Sequence, residues 1–238
     1  MKDFADIWTY LAQGPLLWLA ATLAAYALGD AAYRASGKSP LVNAVPVAVV
    51  ILALLLWTTS TPYATYFEGA QFVHFLLGPA TVALSLPLWD ARAHVRRAAL
   101  PIMAALLAGS LTAMLSTLLI ASTFGVTGEV LASLAAKSTT APVAIGIAQA
   151  VGGSPTLTAV LVILTGVTGA VVATPLLNAL GLKDWRARGF AVGVAAHGLG
   201  TARAMQVHPV AGAFAGLGMG MNAVLTAILA PLILSFFR

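Results

Sequence analysis

Lys137 and Arg203 stand inside otherwise apolar sequence. A positive charge near the centre of a bilayer costs about 2.5–3.5 kcal/mol on insertion scales, so each must meet something that offsets it. None of the seven acids, Asp3, Asp6, Asp30, Glu68, Asp90, Glu129 and Asp184, falls deep in an apolar run. The interior is therefore expected to be cationic, and the direct chemistry is capture of an anion. Arg203 offers a planar fork that fits a carboxylate, and Lys137 a point charge. Ser138, Thr139 and Thr140 follow Lys137 and precede Pro142, a pattern that starts a helix with capping hydroxyls and a proline in its first turn. Open N–H groups at such a helix start favour an anion. The plainer alternative is that Lys137 snorkels to the surface and the hydroxyls satisfy a kinked helix.

His197, followed by Gly198, Gly200 and Thr201, marks a second break on the way to Arg203. Histidine titrates near physiological pH when unperturbed, so His197 either exchanges a proton during transport or hydrogen-bonds a neighbouring helix. Gly78-Pro79 interrupts another apolar run, and the missing N–H of Pro79 predicts a kink beside a cavity or a purely structural one. Gly212, Gly216 and Gly220 recur every fourth residue, which gives one helix face a flat surface for helix packing, and Asn222 on the same segment presents an amide to a substrate or a backbone group. His74, His94 and His208 show no metal-ligand spacing. No nucleophile elbow, phosphate loop or paired carboxylates occur, so neither an enzyme nor a bound cofactor is expected.

These residues need a scaffold, and the composition says which kind. Of 238 residues 60% are hydrophobic and 8% charged, and the mean hydropathy is +0.95, whereas soluble domains carry roughly 25% charged residues. The chain is expected to be an all-α polytopic membrane protein forming a single integral membrane domain over 1–238, with the lipid bilayer as its solvent. Its net charge of +5 resides in short groups between apolar runs, so topology rather than nucleic acid explains it. A spanning helix needs about 20 apolar residues. Six stretches approach this: 7–28, 40–57, 71–89, 99–122, 154–180 and 210–237.

Two further apolar stretches, 129–152 and 189–207, are broken by the residues described above. Basic residues cluster at Arg34 and Lys38, at Arg92, Arg96 and Arg97, and at Lys183, Arg186 and Arg188, and all three groups should be cytoplasmic. They share one side only if 129–152 enters and leaves by the same face. It is therefore read as a broken re-entrant hairpin, and 189–207 as a second one entering from inside. Non-helical backbone at membrane depth is tolerated only against protein or a water-filled cavity, so paired breaks mark a site. The stretch 135–141 also aligns with 195–202, at an offset of about sixty residues and with one insertion, as a weak inverted repeat would.

Leu77-Gly78-Pro79-Ala80-Thr81-Val82-Ala83-Leu84, Lys137-Ser138-Thr139-Thr140-Ala141-Pro142, His197-Gly198-Leu199-Gly200-Thr201-Ala202-Arg203-Ala204 and Gly212-Ala213-Phe214-Ala215-Gly216-Leu217 together resemble the LrgB/CidB family, over nearly the whole chain. The resemblance implies a multi-pass protein of the bacterial inner membrane, described as antiholin-like or as a regulator of murein hydrolase export and lysis. It further implies movement of small carboxylates such as pyruvate or glycolate, and work beside a small LrgA/CidA-type membrane partner. A homo-oligomer, in the simplest case a dimer, is expected. His208-Pro209-Val210 replaces an acidic stretch expected before Gly212, which argues against cation coupling through that carboxylate. The leading expectation is a secondary transporter of small organic anions. The alternative is a holin-like or regulatory assembly for which the glycine face matters most.

Overall fold

The computed structural model describes residues 14–37, 39, 42, 44–76, 79, 89, 92, 96 and 98–237, and all regular structure among them is helical. The chain divides into two compact units, Met1–Ala83 and Leu84–Arg238. In the first, α1 (Pro15–Ala35), α2 (Ala44–Thr58) and α3 (Tyr63–Phe75) pack together. Pro15 opens α1, where its missing N–H costs nothing, and Arg34 in the last turn suits the negative helix end while pairing with Asp30 one turn back. Trp18 is fully buried edge-on against Tyr66.

The second unit holds α4 (Ala99–Thr123), α5 (Gly128–Leu134), α6 (Ala141–Val151), α7 (Pro155–Ala179), α8 (Trp185–Val207) and α9 (Pro209–Leu234), closed by one 3-10 turn, Ser235–Phe237. Four described helices are long and apolar enough to cross a membrane: α1, α4, α7, and α9 with the turn that follows it. Their outward faces carry exposed apolar side chains, among them Leu119, Val160, Ile163, Ile228 and Leu232, which suits lipid. The spans expected at 99–122, 154–180 and 210–237 are α4, α7 and α9. The first expected span, 7–28, is helical over Pro15–Ala35, with its start outside the described residues. The second, 40–57, is a 15-residue helix, and most of 71–89 lies outside the described residues.

Between α4 and α7 the chain reverses. Ser133 Oγ accepts from the Ser154 N–H at 2.7 Å and Ser133 O from Thr158 Oγ1 at 3.2 Å. Twenty-one residues of straight helix would separate Ser133 and Ser154 by about 30 Å. After α5 the chain continues in tight turns through residues 135–139, and Thr140 then adopts an extended conformation (φ −66°, ψ 145°) from which α6 starts back. α5 and α6 are thus the arms of a helical hairpin.

α8 is a hairpin as well, two helical arms joined across a sharp kink. Trp185 and His208 stack face to face, with ring centroids 4.8 Å apart, where a straight helix would place them about 34 Å apart. The reversal falls at Ala196 (φ −127°, ψ 15°) and His197 (φ 41°, ψ −135°). Its arms, 185–195 and 198–207, touch at Gly200, where a Cβ would lie 3.2 Å from Val192 O. Each arm is about 16 Å long, half a bilayer.

The contacts give the direction of every element in this unit. Gly189 meets Ala211 and Gly193 meets Ala215, so the first arm of α8 runs parallel to α9. Met205 against Gly212 and Thr201 against Met219 show the second arm running back. α4 runs with α9, because Ile102 and Leu106 pack with Phe214 and Leu217 while Ser110 bonds Asn222. α7 runs against them, with Val162 beside His197, Gly169 beside Ala196 and Leu177 beside Val192. The first hairpin follows the end of α4 and the second the end of α7, so the two enter the bundle from opposite ends.

Candidate functional site at two hairpin tips

The tips meet at Asn222, fourteenth of the 26 residues of α9 and so close to its middle. Its Nδ2 donates to Ser138 O of the first tip and to Val194 O of the second, both at 3.1 Å. Its Oδ1 accepts from Ser110 Oγ of α4 at 2.6 Å and from Thr226 Oγ1 at 3.4 Å. Both tip carbonyls lie where regular helix stops, Ser138 O in the turns before α6 and Val194 O in the last turn before the reversal in α8.

Lys137 is half-buried at the first tip, with Nζ 3.4 Å from Ser138 Oγ. It lines a cavity of about 480 Å³ together with Thr165 and Thr168 of α7 and Ala195 and Ala196 of the second tip; the remaining wall is apolar. Thr139 is fully buried, and its hydroxyl has no hydrogen-bond partner among the described residues. Thr140 is the N-cap of α6 and Pro142 lies in the first turn, yet no side chain caps this end. The hydroxyls expected to cap α6 thus leave its first-turn N–H groups to another acceptor. An ammonium, a buried hydroxyl and a helix start in one stretch can hold a single carboxylate.

His197 forms the apex of the second hairpin and is buried; its Nε2 lies 2.8 Å from Val162 O, so that nitrogen carries the proton and donates. The imidazole rests on Gly166, whose missing Cβ leaves room for it, and Thr201 Oγ1 bonds back to His197 O at 2.7 Å. Gly200 lets the arms close, while Gly198 is half-buried at the turn, where a Cβ would come into ordinary contact with Met219 Sδ at 4.0 Å. Arg203 stands lower on the second arm, with Nη1 3.5 Å from Gln206 Oε1. It lines a separate cavity of about 20 Å³ with Arg188, and that cavity shares Ala173, Leu177 and Val192 with the one containing Lys137. Lys137 and the second tip are therefore brought together, and Arg203 occupies the adjoining compartment.

Gly212 packs against Met205 of the second arm, Gly216 is half-buried, and Gly220 faces open space. Pro79 is exposed in helical conformation, and Gly78 lies outside the described residues. The closest backbone approaches to α9 come instead from Gly189 and Gly193, which meet the Ala211 and Ala215 carbonyls, a small-xxx-small pattern visible in the sequence. Arg188, buried under the base of the hairpin, lies 4.7 Å over the Trp185 ring and donates to Leu182 O at 3.0 Å. Ser110 and Thr226, isolated hydroxyls in apolar helices, offered no periodic signal.

Fold and site define a multi-pass helical membrane protein in which two helical hairpins meet near the middle of the bundle. The chain belongs to the LrgB-like family, whose model matches residues 22–236. A Haemophilus influenzae protein described only as uncharacterized is 35% identical over 82% of this chain and 85% of its own length. YxaC of Bacillus subtilis, likewise described, is 33% identical over 91% and 94%. The holin-like protein CidB of Staphylococcus aureus is 28% identical over 84% and 87%. No solved structure matches.

Proposed function

We propose that the protein is a secondary transporter of small organic anions of the pyruvate or glycolate type, bound where the two hairpin tips meet. The observation that carries this reading is Lys137, a lone ammonium on a broken segment, lining one cavity with the tip of the opposing hairpin. Both hairpins are read as re-entrant, entering from opposite membrane faces, with arms that reach mid-depth. Lys137 supplies the charge, and Thr139 and the start of α6 supply donors. Ser138 and Thr140 shape the first tip, while His197, Gly198, Gly200 and Thr201 set the second. Arg203 in the adjoining compartment is the next cation along the anion's path. Alternating access moves one hairpin-bearing group against its surroundings while the site stays at mid-depth. The protein is placed in the bacterial inner membrane, as a homodimer, beside a small partner of the LrgA/CidA type.

The name holin-like, carried by the CidB relatives, favours a second reading in which the protein forms lesions or controls lysis. Proteoliposomes holding labelled pyruvate outside and trapped dye inside separate the two. Saturable uptake with dye retained, and lost in Lys137→Ala, is the transporter result. Dye loss that Lys137→Ala leaves intact is the lesion result, and it overturns the proposal.

A further inference from the structure

Asn222 uses both donors and both acceptor positions of its amide, across both hairpins, α4 and α9 itself, and is only 2% exposed. Its two donated bonds are equal in length, and each ends on one tip. The receiving carbonyls both lie at ends of regular helix. Ser138 lies in the tight turns before α6, and Val194 in the last turn before the reversal at Ala196–His197. A buried carbonyl left without a donor costs about 1–3 kcal/mol, so each tip has a reason to stay on the amide. No other residue type of this size places two N–H groups on one atom. Aspartate offers an oxygen to each carbonyl, and leucine leaves both dry. Ser110 and Thr226, both donating to Oδ1, together set which way the amide faces and so aim Nδ2 at the tips.

We propose that Asn222 is a latch: its amide nitrogen pins the two hairpin tips together and thereby positions Lys137 and Thr139, and the substrate compartment opens when these two bonds are released. Asn222 is a positioning residue that acts through the tip backbones. The proposal rests on the reading of the tips as the substrate site, but the tip contact itself can be tested without any transport.

The chain contains no cysteine, so a single introduced thiol reports without background. Thr139→Cys places a near-isosteric thiol at a fully buried tip position, and Ala170→Cys places a second, 1% exposed, on α7 away from Asn222. Full-length protein in lipid nanodiscs is treated with a water-soluble maleimide, and the labelled fraction is followed by intact mass. With Asn222 in place both thiols label slowly. Asn222→Asp keeps the acceptor but removes both donated bonds, and it raises the Thr139→Cys rate by about tenfold or more while leaving Ala170→Cys unchanged. Ser110→Ala leaves Thr226 Oγ1 on Oδ1 to hold the amide's orientation, so it keeps both donated bonds and stays slow. An unchanged Thr139→Cys rate in Asn222→Asp overturns the latch. So does an equal rise at Ala170→Cys, which means that the amide holds the whole fold rather than the tips. Uptake of labelled pyruvate by Asn222→Asp is the second readout: a latch raises KM with little change in kcat, and a fall in kcat alone contradicts it. Absence of uptake in the parent refutes the carboxylate reading and leaves the labelling result to decide on the latch.

Discussion

Gly193→Ala and Gly220→Ala make the same covalent change on neighbouring helices and are expected to act with opposite sign. At Gly193 the new methyl would overlap the Ala215 carbonyl oxygen and sit 2.8 Å from both Ala215 C and Cα. All three atoms belong to the α9 backbone and cannot rotate aside, so the first arm of α8 must retreat. Overpacking of this kind costs about 1–3 kcal/mol, and the helix gain of alanine over glycine returns only about 0.5–1 kcal/mol. The net loss is about 1–2 kcal/mol. Gly220 has nothing within 4 Å, so there only the gain remains. At about 2–4 °C per kcal/mol for a chain of this size, Gly193→Ala lowers Tm by about 2–8 °C and Gly220→Ala raises it by a few degrees. Tryptophan fluorescence during thermal unfolding in detergent reads both. A Gly193→Ala protein as stable as the parent would refute the packing of the second hairpin along α9.

Other consequences follow from single contacts. His197 holds a left-handed φ of 41°, so His197→Gly should retain about 1 kcal/mol more stability than His197→Ala, both lacking the bond to Val162 O; chemical denaturation compares them. Thr139→Val removes a buried hydroxyl without a partner among the described residues, so it should leave Tm unchanged or raised while weakening anion uptake, and a fall in Tm would show that the hydroxyl is already satisfied. The hydrogen bond from Arg186 holds the Asp184 carboxyl at about 2, below the usual carboxylate range, and Asp184 caps α8 by accepting from the Arg186 N–H. A depressed pKa gives stability that is complete above the ordinary carboxylate value and is lost as pH falls toward 2. Because the group is exposed, Asp184→Ala should cost at most about 0.5–1 kcal/mol at pH 7 and almost nothing near pH 2.

Charge and apolar run length made the long helices of the second unit legible, because a 25-residue apolar helix has few alternatives in lipid. Lys137, the hydroxyls after it and His197 marked the breaks, since residues costly at membrane depth need a special environment. The reversal within α8 depends on a backbone state at Ala196–His197 that residue type only suggests. The latch at Asn222 was harder still: its partners Ser110, Ser138 and Val194 are 112, 84 and 28 residues away, and two of them receive its bonds through backbone carbonyls that any side chain would offer. The glycine face at Gly212, Gly216 and Gly220 drew attention by its period. The period of a single helix does not say which neighbour approaches, and the closest contacts arise from Gly189 and Gly193 on the partner helix.

The most direct test of the central claim is equilibrium binding of labelled pyruvate and glycolate to the purified protein in nanodiscs, for the parent, Lys137→Arg and Lys137→Ala. A charge-assisted hydrogen bond contributes about 1.5–3 kcal/mol, so Lys137→Ala should weaken binding about ten- to a hundredfold, and Lys137→Arg, which keeps the charge, should lose less. Equal affinity in all three would mean that the anion is held elsewhere and that Lys137 only supports the fold.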